Sequence, residues 1–251
     1  MMKIPLKSAA DLEAMRTSCR MTAEVLRQVA AAVQPGVTTG ELDALTRRLI
    51  GGMKAKPSFL GYRGYPGAIC ISVNDEVIHG IPGRRVVLPG DVVSLDVGVY
   101  YNGFHGDSAT TVMVSVTDPD VIRLVETTKR ALEAALAVAK PGGHLSDVSH
   151  AVESIAKAYG CSVVREFVGH GVGRHLHEDP QIPNYGAPGR GPVLRPGMTL
   201  AIEPMVNLGR PEVVVQEDQW TVVTRDGKPS AHFEHTVAVL EESVEVLTLA
   251  P

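Results

Sequence analysis

Four stretches of this chain carry apolar residues at helical spacing, and they come in two pairs. Residues 8–33 read as an amphipathic helix, with Leu12, Met15, Val25, Leu26 and Val29 at apolar positions and Ser8 placed to cap it. The pattern stops at Gln34-Pro35-Gly36 and resumes from about Thr39 to Met53, where Leu42, Leu45, Leu49 and Ile50 share one side. A third helix is predicted from about Asp118 to Ala139. It breaks at Lys140-Pro141-Gly142, and a fourth runs from about Ser146 to Tyr159. The two Pro-Gly breaks lie 106 residues apart.

The intervening strands repeat as well. Leu88-Pro89-Gly90-Asp91-Val92-Val93-Ser94-Leu95-Asp96 aligns with Arg195-Pro196-Gly197-Met198-Thr199-Leu200-Ala201-Ile202-Glu203 at an offset of 107. Each runs from a Pro-Gly turn through an apolar strand to an acid, so Asp96 and Glu203 hold equivalent positions. Two copies make a duplicated fold, not a solenoid. The expectation is one domain over 1–251, with related halves at about 8–113 and 114–251. Asn102-Gly103 signals a hairpin that should bring Asp96 and Asp107 face to face. Asp226-Gly227 marks a turn before Glu234, and a pseudo-two-fold axis would aim all four carboxylates at one point.

These acids stand in apolar surroundings. Asp96 sits in Val-Val-Ser-Leu-Asp-Val-Gly-Val and Glu203 in Leu-Ala-Ile-Glu-Pro-Met-Val, while Glu234 precedes His-Thr-Val-Ala-Val-Leu. Taken singly, each could be the polar residue of a half-exposed antiparallel strand, since Ser94, Asp96 and Gly98 alternate with Val93, Leu95 and Val97. Taken together they imply burial, and buried carboxylates need cations or shared protons. Divalent metals are the economical answer.

Composition narrows the class. The chain has 251 residues with 44% hydrophobic and 21% charged, ordinary for a globular protein, and its net charge of -4 argues against DNA binding. The amino terminus lacks a hydrophobic signal core, and no uncharged apolar run is long enough to span a bilayer. Cys19, Cys70 and Cys161 are odd in number and widely spaced, which fits reduced thiols in the cytoplasm.

The remaining ligand types fall in Gly169-His170-Gly171-Val172-Gly173-Arg174-His175-Leu176-His177-Glu178-Asp179-Pro180. This is no dinucleotide loop, because no helix can follow through Asp179-Pro180, and His177-Glu178-Asp179-Pro180-Gln181 is not HExxH. At this point the sequence resembles the type I methionine aminopeptidases. Ala68 to Glu76, His79-Gly80-Ile81-Pro82, Asp96, Asn102 to Asp107, Gly169-His170-Gly171, His177-Glu178, Glu203-Pro204, Trp220 and Phe233-Glu234-His235-Thr236 follow in that family's order, over nearly the whole chain.

The resemblance implies an α+β "pita-bread" fold, the creatinase/aminopeptidase-like architecture, with a curved antiparallel sheet flanked by two helix pairs. It implies two divalent ions, drawn from Mn, Fe, Co or Zn. Asp96 would hold one and His170 with Glu203 the other, and Asp107 and Glu234 would bridge both. His79 and His177 would bond the substrate amide, and Glu203 would also shuttle the proton. Phe59, Tyr62, Tyr65, Cys70, Leu176 and Trp220 would form the slot for a methionine side chain; Phe59, Leu176 and His175 depart from familiar members and bear on fine specificity. The implied reaction is removal of the initiator methionine from peptides and nascent chains when the second residue is small. A cytoplasmic monomer with transient ribosome contact is expected, without a zinc-finger or Pro-rich tether. Two alternatives remain open. One is an Xaa-Pro aminopeptidase or dipeptidase of the same fold, although those usually carry a large extra domain. The other is a non-catalytic relative that uses the cavity for binding.

Overall fold

The computed structural model describes residues 4–249; Met1, Met2, Lys3, Ala250 and Pro251, the ends of the expected 1–251 domain, lie outside the described residues. The helices are α1 (Ala9–Ala32), α2 (Thr39–Gly52), α3 (Pro119–Val138) and α4 (Leu145–Ala158). Their starts follow from local chemistry. The Ser8 hydroxyl accepts from the Asp11 backbone N–H, and the Asp11 carboxylate accepts from the Ser8 N–H, closing a capping box on α1. Thr38 and Glu41 repeat this on α2. Asp118 caps α3 with Pro119 in the first turn, where a missing N–H costs nothing.

The halves also close their helix pairs alike. Gly36 N–H donates to the Val87 carbonyl and Gly142 N–H to the Leu194 carbonyl, both at 2.9 Å. The segments before α2 and α4 form matching isolated bridges, Thr38 with Val86 and His144 with Val193.

Among the described residues, a nine-stranded antiparallel sheet forms the centre. Its main path runs Lys56–Pro57, Val92–Tyr101, Phe104–Met113, Glu234–Val239, Thr199–Ile202, Gly169–Gly171 and Glu178–Ile182; Cys70–Val73 and Val244–Val246 branch from it. The sheet is curled, with the helices on one side, giving the α+β architecture expected of a pita-bread fold. Val93, Leu95, Val97 and Val99 pack with Val25, Leu26, Leu42 and Ile50. In the second half Leu200, Ile202, Val237 and Val239 pack with residues of α3 and α4. The alternate residues do not face water: Ser94 is 3% exposed and Asp96 9%. Both faces of this strand are covered, so its polar face lines an interior.

Two expectations are corrected. The Asn102-Gly103 turn has two residues, both at positive φ, so Tyr101 pairs with Phe104 and the register continues to Asp96 opposite Ala109 and Asp107 opposite Gly98. Asp96 and Asp107 therefore share a face as diagonal neighbours instead of meeting directly. In the second half no tight hairpin joins the acid-bearing strands. Asp226-Gly227 instead turns the chain between Val222–Thr224 and Ser230–His232, inside a long excursion that also includes Met205–Asn207 and Val213–Val215. With Ser162–Val163 and Glu76–Ile78 these four short strands form two three-stranded sheets beside the main one.

Candidate metal centre and apolar pocket

The strands deliver the acids to one cavity of about 350 Å³, lined by Asp96, Asp107, His170, Glu203 and Glu234 among others. Asp96 and Asp107 project from the first-half hairpin. Glu203 directly follows Thr199–Ile202, and Glu234 opens the strand that pairs His235 with Ile202. Side-chain bonds hold the central strands in place: Thr236 Oγ1 donates to the Asp107 carbonyl at 2.7 Å, and Ser108 Oγ to the Glu234 carbonyl at 2.8 Å. His170 Nδ1 lies 2.8 Å from the Gly171 carbonyl. Donation there leaves Nε2 as the free lone pair, 3.4 Å from Glu203 Oε1 and 3.8 Å from Asp107 Oδ2.

This cluster lacks compensation from the protein. Asp96 Oδ1, Asp107 Oδ1 and Glu234 Oε1 are buried with no hydrogen-bond partner. Burial first, and then the charges of Asp96 and Glu203, push the Asp107 carboxyl well above the usual carboxylate range. Burial does the same to Glu203, and burial with its carboxylate neighbours to Glu234. Burial raises Asp96 too, against the pull of His232. Orphaned acid oxygens around one neutral imidazole suit a divalent cation, for oxygen with a single nitrogen is a hard-to-borderline donor set. One donor atom each from Asp107, His170 and Glu234 lie within 4.8 Å of one another.

Beside the acids lies an apolar wall. Phe59, Tyr65, Cys70 and Leu176 form a buried cluster, with Tyr62, Ile81 and Trp220 packed against it. All six residues expected in the side-chain slot are thus gathered in one place. Tyr65 is fixed by its hydroxyl, which donates to the Gly80 carbonyl at 2.8 Å, and by an edge contact with Trp220 at 5.0 Å between centroids. Cys70 stands opposite Asp96 in the sheet register, and burial raises its thiol pKa, so it stays neutral.

His79 and His177 flank this wall. The His177 ring, exposed at the mouth, stacks on Tyr62, with Nδ1 2.9 Å from the Tyr62 hydroxyl, and its centroid is 4.2 Å from that of His170. Loss of solvent against the wall, then the Arg63 charge, lowers its pKa. His79 sits half-buried at a positive φ, edge-on to Phe167 and Trp220. Burial lowers its pKa to about 4, so both rings are neutral at pH 7.

Sequence reasoning missed His232. It is 1% exposed, its Nε2 has no hydrogen-bond partner, and that atom is 3.6 Å from Glu203 Oε2. Its place two residues before Glu234, in the alternating run Ser230-Ala231-His232, was the available signal. Phe167, Ile78, Arg63 and Gln181 also line the cavity and were not singled out. The three cysteines are unpaired and buried, as expected of reduced thiols. No helix of the described residues is long and apolar enough to cross a membrane.

Comparison with known proteins matches this geometry. The chain is 50% identical over 242 residues to methionine aminopeptidase 1 of Bacillus subtilis, covering 96% of this chain and 98% of that one. It is 46% identical over 253 residues to methionine aminopeptidase 1 of Mycobacterium tuberculosis, covering 98% and 95%. The crystal structure of methionine aminopeptidase from Thermotoga maritima superposes with a TM-score of 0.96 at 48% identity, over 98% of this chain and 99% of that one. Prolidase from Pyrococcus furiosus, at 23% identity and a TM-score of 0.80, shares the fold, and this chain spans 66% of it. The profile of metallopeptidase family M24 matches residues 13–241, the span that carries every acid and histidine of the cavity, and the chain belongs to that family.

Proposed function

We propose that the protein is a methionine aminopeptidase that removes the initiator methionine from peptides and nascent chains when the second residue is small. The observation that carries this reading is a cluster of partnerless buried carboxylates directly beside an apolar, aromatic-rich slot. A thioether side chain suits such a slot, being apolar, unbranched and polarisable. The near-full-length likeness to methionine aminopeptidases supports the same substrate.

In this reading Asp96 would hold one divalent ion, His170 and Glu203 would hold a second, and Asp107 and Glu234 would serve both. Such ions supply Lewis-acid polarisation of the scissile carbonyl, activation of water and an anchor for the free amino group. The chain's own residues do the rest. The slot from Phe59 to Trp220 orients the first side chain. Neutral His79 and His177 donate hydrogen bonds to the amide and to the oxygen that gains charge when water attacks. Glu203 accepts the proton of the attacking water and returns it to the departing amine as the C–N bond breaks. His232 lies beside Glu203, its Nε2 3.6 Å from the carboxylate.

The reading also makes residues 1–251 one catalytic domain of two related halves, acting as a cytoplasmic monomer with transient ribosome contact. Mn, Fe, Co and Zn all suit the donors.

The test is an assay on Met-Ala-Ser, Met-Lys-Ser and Ala-Pro-Ser with chelated protein reloaded separately with each metal. Metal-dependent methionine release from the first peptide alone is the expected result. Cleavage of only Ala-Pro-Ser would assign the Xaa-Pro class, and silence on all three would leave a binding protein.

A further inference from the structure

Lys7 and Glu178 form an ion pair across 171 positions of sequence, and each side chain is only 5% exposed. No step in the reaction uses either residue. A buried pair with good geometry contributes little net stability against an apolar replacement, so what it holds in place matters more than what it stabilises.

Its surroundings suggest one. Glu178 Oε2 takes Lys7 Nζ, while Glu178 Oε1 accepts the His175 backbone N–H at 3.1 Å. The loop then closes on itself, because Gly173 N–H donates to the His175 carbonyl at 3.0 Å. Gly173 leaves the space: a Cβ there would come within 2.4 Å of Lys7 Cε and 2.8 Å of Glu178 Oε1. A second tie reaches the same loop, where Arg174 bonds Asp11 at 2.7 Å, the residue that closes the α1 capping box. Between these anchors project Leu176, a wall of the apolar slot, and His177. Lys7 is itself held, since its backbone N–H donates to the Gly197 carbonyl at 2.7 Å, in the turn that leads into the strand before Glu203.

We infer that Lys7 is a positioning residue: through Glu178 it fixes the loop that sets His177 and Leu176 against the bound substrate. The inference rests on the proposed role of His177. Removing the Lys7 charge leaves Glu178 buried and unpaired, so the carboxylate turns toward water and releases the His175 backbone. His177 then loses its aim while the metal residues, on other strands, keep theirs.

The experiment is a double-mutant cycle of Lys7→Met with His177→Ala on metal-loaded protein, reading kcat and KM for Met-Ala-Ser, bound metal and the melting temperature. Lys7→Met should lower kcat about tenfold, with KM within about twofold and metal content unchanged. Lys7→Met/His177→Ala should be no slower in kcat than His177→Ala alone, because the positioning acts on kcat through His177, and Leu176 bears on side-chain binding. Losses that multiply, or an unchanged kcat in Lys7→Met, would overturn the inference. Wild-type kcat in His177→Ala would instead overturn the role of His177, and the positioning with it. If Lys7→Met does not fold, Lys7→Met/Glu178→Met, which leaves neither an unpaired charge nor an acceptor for the His175 N–H, enters the same cycle with the same expected outcomes.

Discussion

The two halves of the molecule start from one recipe and diverge where the acids are joined. In the first, Asp96 and Asp107 lie on adjacent strands linked by the two-residue Asn102-Gly103 turn. In the second, Glu203 and Glu234 also flank paired strands, but the chain between them makes the excursion through Met205–Asn207 and Ser230–His232. The hairpin contributes only carboxylates. The excursion adds Trp220 to the apolar wall and His232 against Glu203. Duplication accounts for a symmetric set of acids, and the asymmetry comes from residues outside the repeated pattern: the segment from Phe59 to His79 and Leu176 supply most of the apolar wall, and the excursion adds Trp220.

The largest effect should come from removing one bridging acid of either half. Asp107→Ala and Glu234→Ala are each expected to abolish methionine release, by more than about 10³-fold, since in the proposed arrangement each would strip a carboxylate from both ions. Near-normal turnover in one of them with metal still bound would show that the halves do not share a centre. His177→Ala comes next. A group that hydrogen-bonds the reacting amide typically contributes about 10²-fold, so kcat should fall by that order while bound metal is unchanged.

Metal removal sharpens the comparison through pH. In chelated protein the raised carboxyl pKa values mean that folding favours the protonated forms, and that advantage is lost as pH rises through the raised values. Chelated protein should therefore gain thermal stability as pH falls from alkaline values toward about 7, the value to which burial raises Asp96, above the window near 6.5 where the lowered histidines begin to oppose the trend. Metal-loaded protein should show a flatter profile, and a chelated protein that loses stability over that interval would contradict the burial argument. The smallest effect belongs to the turn. Gly103 has φ +85, so Gly103→Ala should cost about 1 kcal/mol or somewhat more in urea unfolding and leave the kcat of the folded enzyme intact.

Much of this was legible in the sequence because it is local. Ser8 with Asp11 and Thr38 with Glu41 mark helix starts within three residues, and the Pro-Gly breaks mark the ends of α1 and α3. The repeat paired Asp96 with Glu203 because turn, strand and acid recur in the same order. Register was less legible: a two-residue turn fixes Asp96 opposite Ala109, and counting both arms from Asn102 misplaces it. The excursion was hidden because its strands are only three residues long, too short for a period to declare itself. His232 and the pair of Lys7 with Glu178 owe their meaning to distant partners, which no local pattern records.

The most direct test of the central claim is the stoichiometry of divalent metal binding to chelated protein, measured by calorimetric titration for wild type, Asp96→Ala and Glu203→Ala. The proposed arrangement predicts two ions per chain in wild type and one in each variant, one variant from each half. A wild type that takes up no metal, or an Asp96→Ala protein that still binds two ions, would contradict it.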